Sequence, residues 1–144
     1  MMKTYILSAG VVIVRIYPAE PRYLLLRAFQ YWDFPKGVVE EGEDPLAAAQ
    51  REVFEETALT ELNFRWGKGY LETPPYGAGK IARYYLAESP GGEVHLPVNP
   101  LLGKPEHDEF RWVTFEEADK LLGPRLRPIL NWADWLVTRE RQDG

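Results

Sequence analysis

The stretch Gly37–Leu59, GVVEEGEDPLAAAQREVFEETAL, decides the reading of this chain. It starts as a glycine-punctuated acidic turn. Asp44-Pro45 then opens a helix, with a carboxylate suited to cap the first turn and a proline at the first helical position. At about 100° per residue, Glu55 and Glu56 fall on either side of Glu52 within an arc of roughly 100°. Glu52 and Glu56 are an i,i+4 like-charge pair, which weakens an isolated helix by about 0.2–0.5 kcal/mol. Three converging carboxylates are poor helix design and good ligands for a hard divalent cation. Leu46, Ala49, Val53 and Thr57 form another face, expected to be buried, and the carboxylates lie away from it. Arg51 stands four residues before Glu55 and can pair with it, or with Glu43 folding back from the turn. The expected role of Arg51 and Glu43 is a salt bridge that orients the ligands.

The same residues carry a family pattern. Gly37, Glu43, Arg51, Glu52, Val53, Glu55, Glu56 and Leu59 stand at the positions of the Nudix box, so the chain resembles the Nudix hydrolases. One position departs: Ala58 stands where the family has glycine. If the turn is kept, an alanine there takes a positive φ at a cost on the order of 1 kcal/mol. The resemblance implies an α/β fold, an α/β/α sandwich with a central mixed sheet, in which the box forms loop, helix and loop. It also implies metal-dependent hydrolysis of a phosphoanhydride. Glu55 and Glu56 are then the main metal ligands, helped by the Gly37 carbonyl, and Glu52 is either a further ligand or the base that deprotonates water. An oxygen-rich set without cysteine favours Mg²⁺, with Mn²⁺ as a substitute.

Outward from the box, Tyr31-Trp32-Asp33-Phe34-Pro35-Lys36-Gly37 resembles the lead-in of Nudix enzymes that hydrolyse dinucleoside polyphosphates, which gives Lys36 a phosphate to meet. Pro105-Glu106-His107-Asp108-Glu109-Phe110-Arg111-Trp112 resembles a segment of dinucleoside tetraphosphate hydrolases. It selects Glu106 as a further metal ligand and His107 as a substrate contact. Tyr76 stands 17 positions past Leu59, where that branch carries a tyrosine able to stack on adenine. Lys80 begins a stretch like the branch's Lys…Tyr-x-Leu-Ala-Glu strand, placing a cation for a distal phosphate. Arg27, at the end of an apolar run, is either a site residue or a solvated edge charge.

The rest of the chain reads as strands and two closing helices. Strands are expected over 4–17, bent at Gly10, then from Tyr23, over Leu62–Trp66, Tyr70–Thr73 and Ile81–Glu88, near Val94, and over Glu109–Thr114. Residues 99–107 read as irregular. Thr114-Phe115-Glu116-Glu117 is a capping-box start for a helix stopped by Gly123-Pro124, and 128–139 is an amphipathic helix. With 144 residues and no repeats or linkers, a single domain over 1–144 is expected.

Composition narrows the function classes. The absence of cysteine excludes disulfides and thiolate metal sites and suits a reducing cytoplasm, the expected location. The longest apolar run near the N-terminus breaks at Arg15, too short to span a bilayer. A net charge of −5 argues against non-specific nucleic-acid binding, which leaves a small nucleotide as the expected partner. No sequence feature specifies an oligomeric state. The leading expectation is hydrolysis of diadenosine tetraphosphate to ATP and AMP. The alternatives are pyrophosphohydrolysis of (deoxy)nucleoside or dihydroneopterin triphosphates, removal of pyrophosphate from RNA 5′ ends, and a non-catalytic nucleotide sensor.

Overall fold

The computed structural model describes residues 4–143. The chain runs β1 (Ile6–Ile16), β2 (Pro21–Ala28), β3 (Tyr31–Asp33), β4 (Lys36–Val38), α1 (Pro45–Thr57), β5 (Tyr70–Glu72), β6 (Lys80–Glu88), β7 (Val98–Asn99), β8 (Lys104–Pro105), β9 (Glu109–Val113), α2 (Phe115–Leu121) and α3 (Arg127–Asp143). The sheet is mixed. β1 lies parallel to β6 along nine register pairs, from Ile6↔Lys80 to Val14↔Glu88, and its other pairings are antiparallel.

Each face of this sheet is covered by helix, as alternation in the strands requires. Val11, Ile13, Leu24, Leu26 and Tyr85 point to the side where Ala48, Ala49 and Val53 of α1 pack. Val12, Val14, Tyr23, Leu25, Tyr84 and Leu86 point to the other side, against Ala118 of α2 and Ile129, Leu130, Ala133 and Val137 of α3. The architecture is the expected α/β/α sandwich. No helix among the described residues is long and apolar enough to cross a membrane.

A fork between β1 and β2 positions the functional residues. The two strands pair only from Val14↔Tyr23 to Ile16↔Pro21. Beyond that, the same edge of β1 takes β4, through Ser8↔Val38 to Gly10↔Lys36, and β2 takes β3, through Leu26↔Asp33 to Ala28↔Tyr31. Residues 31–38 therefore fill the gap where the strands part, anchored by the buried Phe34 and by Val11 N–H donating to the Pro35 carbonyl at 3.1 Å. Gly10, where the sequence suggested a bend, lies inside the continuous strand β1. A Cβ there would stand 2.2 Å from the Pro35 carbonyl oxygen, so glycine is required by the closeness of the fork segment.

Three other local expectations change. Leu62–Trp66 is not a strand and makes only the isolated bridge Asn63↔Glu88, past the stretch of β6 at Arg83–Tyr85 that β5 pairs with. Its alternation reflects burial in two different places: Leu62 and Phe64 pack in the α1-side core and Trp66 in the other. Val94 is likewise a core anchor without strand pairing. The irregular segment 99–107, conversely, contains the small hairpin β7–β8.

Candidate active site

Helix α1 is well begun and badly ended. Asp44 accepts a hydrogen bond from Ala47 N–H at 3.1 Å, which satisfies an otherwise orphaned donor. Its last turn carries Glu55 and Glu56 with no basic residue, so negative charge sits at the negative end of the helix dipole. The helix stops at Ala58 in the left-handed region, φ 65°, with Ala58 N–H bonded to the Phe54 carbonyl at 2.9 Å.

Arg51 organises the front of the acidic cluster. It grips Glu43 with two nitrogens, at 2.8 and 3.0 Å, and reaches Glu52 at 2.8 Å and Glu55 at 3.2 Å. A fifth contact, 3.2 Å to the Val38 carbonyl, ties the fork segment to the helix. These are the orienting contacts the spacing had suggested. The Arg51 guanidinium, helped by the Glu40 amide, pulls the Glu43 pKa down to about 2.

The rear of the cluster has no such partner. Glu56 is 6% exposed. One of its oxygens accepts the Lys36 backbone N–H at 2.9 Å, and His107 Nδ1 stands 4.0 Å from the other. Burial, followed by the charge of Glu106, pushes the Glu56 pKa up to about 10. Burial also raises Glu52, and it lowers His107, which keeps the imidazole neutral at neutral pH. Glu56, Glu106 and His107 can each offer a ligand atom within 4.8 Å of the others. Gly37 backs directly onto Glu52: a Cβ there would lie 2.0 Å from the carboxylate carbon. Any side chain at 37 would displace the Glu52 carboxylate from its place in the cluster. Crowded carboxylates, one forced towards protonation, are a donor set that fits a hard divalent cation.

A second group of side chains faces the fork from α3's side, with Asp33 as its hub. Asp33 accepts the Tyr84 hydroxyl at 2.8 Å and stands 3.6 Å from Lys36 Nζ and 3.7 Å from Arg125. Burial alone would lower the Lys36 ammonium, but Asp33, Tyr76 and Glu56 outweigh it and its pKa is raised. The Arg125 guanidinium lies 3.9 Å over the Tyr76 ring, and its Nη1 is buried without a hydrogen-bond partner among the described residues. One face of Tyr76 is therefore already occupied by a cation.

The structure thus brings Lys36, Gly37, Glu43, Arg51, Glu52, Glu55, Glu56, Glu106, His107 and Tyr76 into one neighbourhood. Arg27 is committed to Glu109 at 3.1 Å, to Asp108 at 3.6 Å and to the Phe29 carbonyl. Lys80, exposed at the start of β6, is joined to Tyr76 by two backbone hydrogen bonds of 2.9 Å, so it lies beside the aromatic residue of this neighbourhood. Asp33 and Arg125 were not anticipated. Asp33 lay in plain view beside Trp32, but Arg125 follows a helix-stop Gly-Pro and carries no local signal.

Comparisons with known proteins agree with the fold. A model of the NUDIX domain matches residues 7–133. The chain is 33% identical over 120 residues to the asymmetrical bis(5′-nucleosyl)-tetraphosphatase of Caenorhabditis elegans, covering 79% of this chain and 83% of that one. It is 32% identical over 109 residues to an RNA pyrophosphohydrolase of Rhizobium meliloti (strain 1021), covering 66% of this chain but only 65% of the relative's length. The crystal structure of a C. elegans Ap4A hydrolase binary complex superposes with a TM-score of 0.74 at 26% identity, covering 96% of this chain and 99% of that one.

Proposed function

The chain belongs to the NUDIX family and is a hydrolase of nucleoside polyphosphates, and from that premise we propose that it cleaves dinucleoside polyphosphates, converting diadenosine tetraphosphate and water to ATP and AMP, with Mg²⁺ and in the cytoplasm. The observation that carries the reading is the pairing of two unlike walls around one fork. One is the carboxylate cluster of α1 with Glu106. The other is the cationic and aromatic group of Lys36, Arg125 and Tyr76, gathered by Asp33.

In this mechanism Glu55, Glu56 and Glu106 would hold the cation, with the Gly37 carbonyl and His107 at hand. When bound, the divalent ion neutralises the phosphate chain and lowers the pKa of a ligated water. Glu52 removes the proton from the attacking water. Its burial raises its pKa towards neutrality, which makes it a stronger base. Water adds to phosphorus, the anhydride P–O bond breaks, and the proton passes through Glu52 to solvent. Lys36 and Arg125 are the cations nearest to meet phosphate charge, and Tyr76, half-buried beneath Arg125 against the α3-side core, is the aromatic group for a base.

A second reading, removal of pyrophosphate from the 5′ end of RNA, is favoured by the similarity to the Rhizobium relative. The test is turnover with Mg²⁺ of diadenosine tetraphosphate, ATP, dihydroneopterin triphosphate and a 5′-triphosphorylated oligoribonucleotide, with products resolved by chromatography. Highest kcat/KM on the dinucleoside, with ATP and AMP as products, is expected. Preference for the oligoribonucleotide, or for a mononucleoside triphosphate, would replace this reading with the corresponding alternative.

A further inference from the structure

Beside the carboxylate cluster, with neither Lys36 nor Arg125 in its lining, is a groove of about 710 Å³ between the C-terminal end of α1 and the β7–β8 hairpin. Phe54 forms the helix wall, and Val98, Pro100 and Leu101 form the hairpin wall. Glu55 and Glu106 line its margin, so the groove opens directly onto the candidate metal site. Phe54 is 54% exposed and Leu101 is 95% exposed. Large apolar groups left in water beside a catalytic cluster are the kind of surface that marks a binding site.

The chemistry of the lining selects its occupant. No residue lining the groove carries a positive charge and two carry carboxylates, so it repels a phosphate. The cations lie in the other wall, around Asp33. What the groove can take is a flat, uncharged ring, covered by Phe54 on one side and the hairpin leucine on the other. It also offers one directional group. Asn99 Oδ1 accepts Leu101 N–H at 2.9 Å, while the amide nitrogen of the same side chain makes no hydrogen bond among the described residues. That leaves a donor for a base edge.

Resting on the dinucleoside reading above, we infer that the Phe54–Leu101 groove is a subsite for the distal nucleobase, the one at the far end of the phosphate chain from the base that meets Tyr76. The substrate then lies across the metal site with one base on each side. The groove, more than the carboxylates, separates a dinucleoside polyphosphate from a mononucleotide with the same phosphate chain.

The test uses two non-hydrolysable, methylene-bridged ligands, diadenosine tetraphosphate and adenosine 5′-tetraphosphate, which differ by the distal adenosine. Their dissociation constants are measured by calorimetry with Mg²⁺ for the wild type, Phe54→Ala and Leu101→Ala. Each substitution should weaken the dinucleoside about tenfold, within the range for one stacked base, and leave the mononucleoside within twofold. Phe54→Tyr should restore most of the loss. Leu101 is almost wholly exposed, so its variant reads the groove without risk to the fold. Equal losses on both ligands, or none, overturn the inference. So does a wild-type dimer in sedimentation that Leu101→Asp dissociates without changing either affinity, which would make the groove a contact between two copies. The two readings fail separately: hydrolysis of diadenosine tetraphosphate by both variants with unchanged KM sinks the subsite alone. A wild type that neither hydrolyses the dinucleoside nor favours it over the mononucleoside sinks the dinucleoside reading and the subsite with it.

Discussion

Helices α1 and α2 cover opposite faces of one sheet, and they are built by opposite rules. In α2, Thr114 and Glu117 form a complete capping box, two acids occupy the first turn and Lys120 sits in the last, all in agreement with the helix dipole. In α1 the start is equally sound, but the end holds Glu55 and Glu56 where the dipole disfavours them. Glu56 is buried at a carboxylate's expense, and a non-glycine residue sits at φ 65°. Where every local choice agrees, as in α2, the element serves stability. Where several disagree within about two turns, as at 52–58, stability does not account for the choices, and the proposed chemistry does.

The largest expected effect breaks this contrast at α1. Glu56→Gln keeps an oxygen to accept the Lys36 amide but removes the charge, and kcat should fall about 10²–10³-fold at saturating Mg²⁺. Retention of near wild-type kcat would show that Glu56 is not part of the metal site. The same variant carries a pH signature. Folding raises the Glu56 pKa from an ordinary 4.5 to about 10, so between these values the folded state holds a proton that the unfolded state releases. This contribution to stability is complete below about pH 4.5 and is lost as pH rises towards 10. With metal chelated, the wild-type melting temperature should therefore slope downward from pH 5 to 9, and Glu56→Gln should flatten the slope. Glu43, lowered to about 2, has the opposite sign: its contribution is present above pH 4.5 and is lost only as pH falls towards 2.

At α2 the contrast predicts a purely structural loss. Thr114→Ala removes the cap acceptor for Glu117 N–H, costing about 1 kcal/mol, or a few degrees in melting temperature. Because α2 lies on the other face from the carboxylates, kcat should be unchanged, and a fall in kcat with stability intact would contradict the division of labour. The smallest effect is Ala58→Gly. Relief of the left-handed strain, about 1 kcal/mol, exceeds the entropy glycine adds to the unfolded chain by a few tenths. Urea unfolding should show a gain of about 0.5 kcal/mol, and a loss would mean that the alanine conformation carries no strain.

How much of this was legible depended on whether the cause was local. The start of α1 was readable from Asp44-Pro45, and so was the positive φ at Ala58, because a left-handed residue at a helix end is a property of a few adjacent residues. The clustering of Arg51, Glu52 and Glu55 followed from helical spacing, and Glu43 joins them from the turn before the helix. The fork between β1 and β2 was not readable, because it depends on which of two strands claims an edge. Gly10 looked like a bend for that reason, and its meaning came only from Pro35 lying against it. The Asp33–Arg125 pair joins residues far apart in the chain, and nothing in the local pattern at either end announces the other. Leu62–Trp66 shows the reverse error: genuine alternation that serves two separate cores and makes a single bridge to β6.

The Lys36 amide, wedged in the fork and donated to Glu56, gives the protein a single backbone proton that reports on its chemistry. An N–H bonded to an ionised carboxylate is held more tightly than one bonded to a neutral acid. Whatever neutralises or recharges Glu56 must therefore register in the nitrogen resonance and hydrogen-exchange rate of residue 36. Since Pro35 before it has no N–H, that signal stands apart from any preceding neighbour's in an exchange map. The same bond that seats helix α1 against the sheet is thus a natural spectroscopic gauge of the cluster's charge.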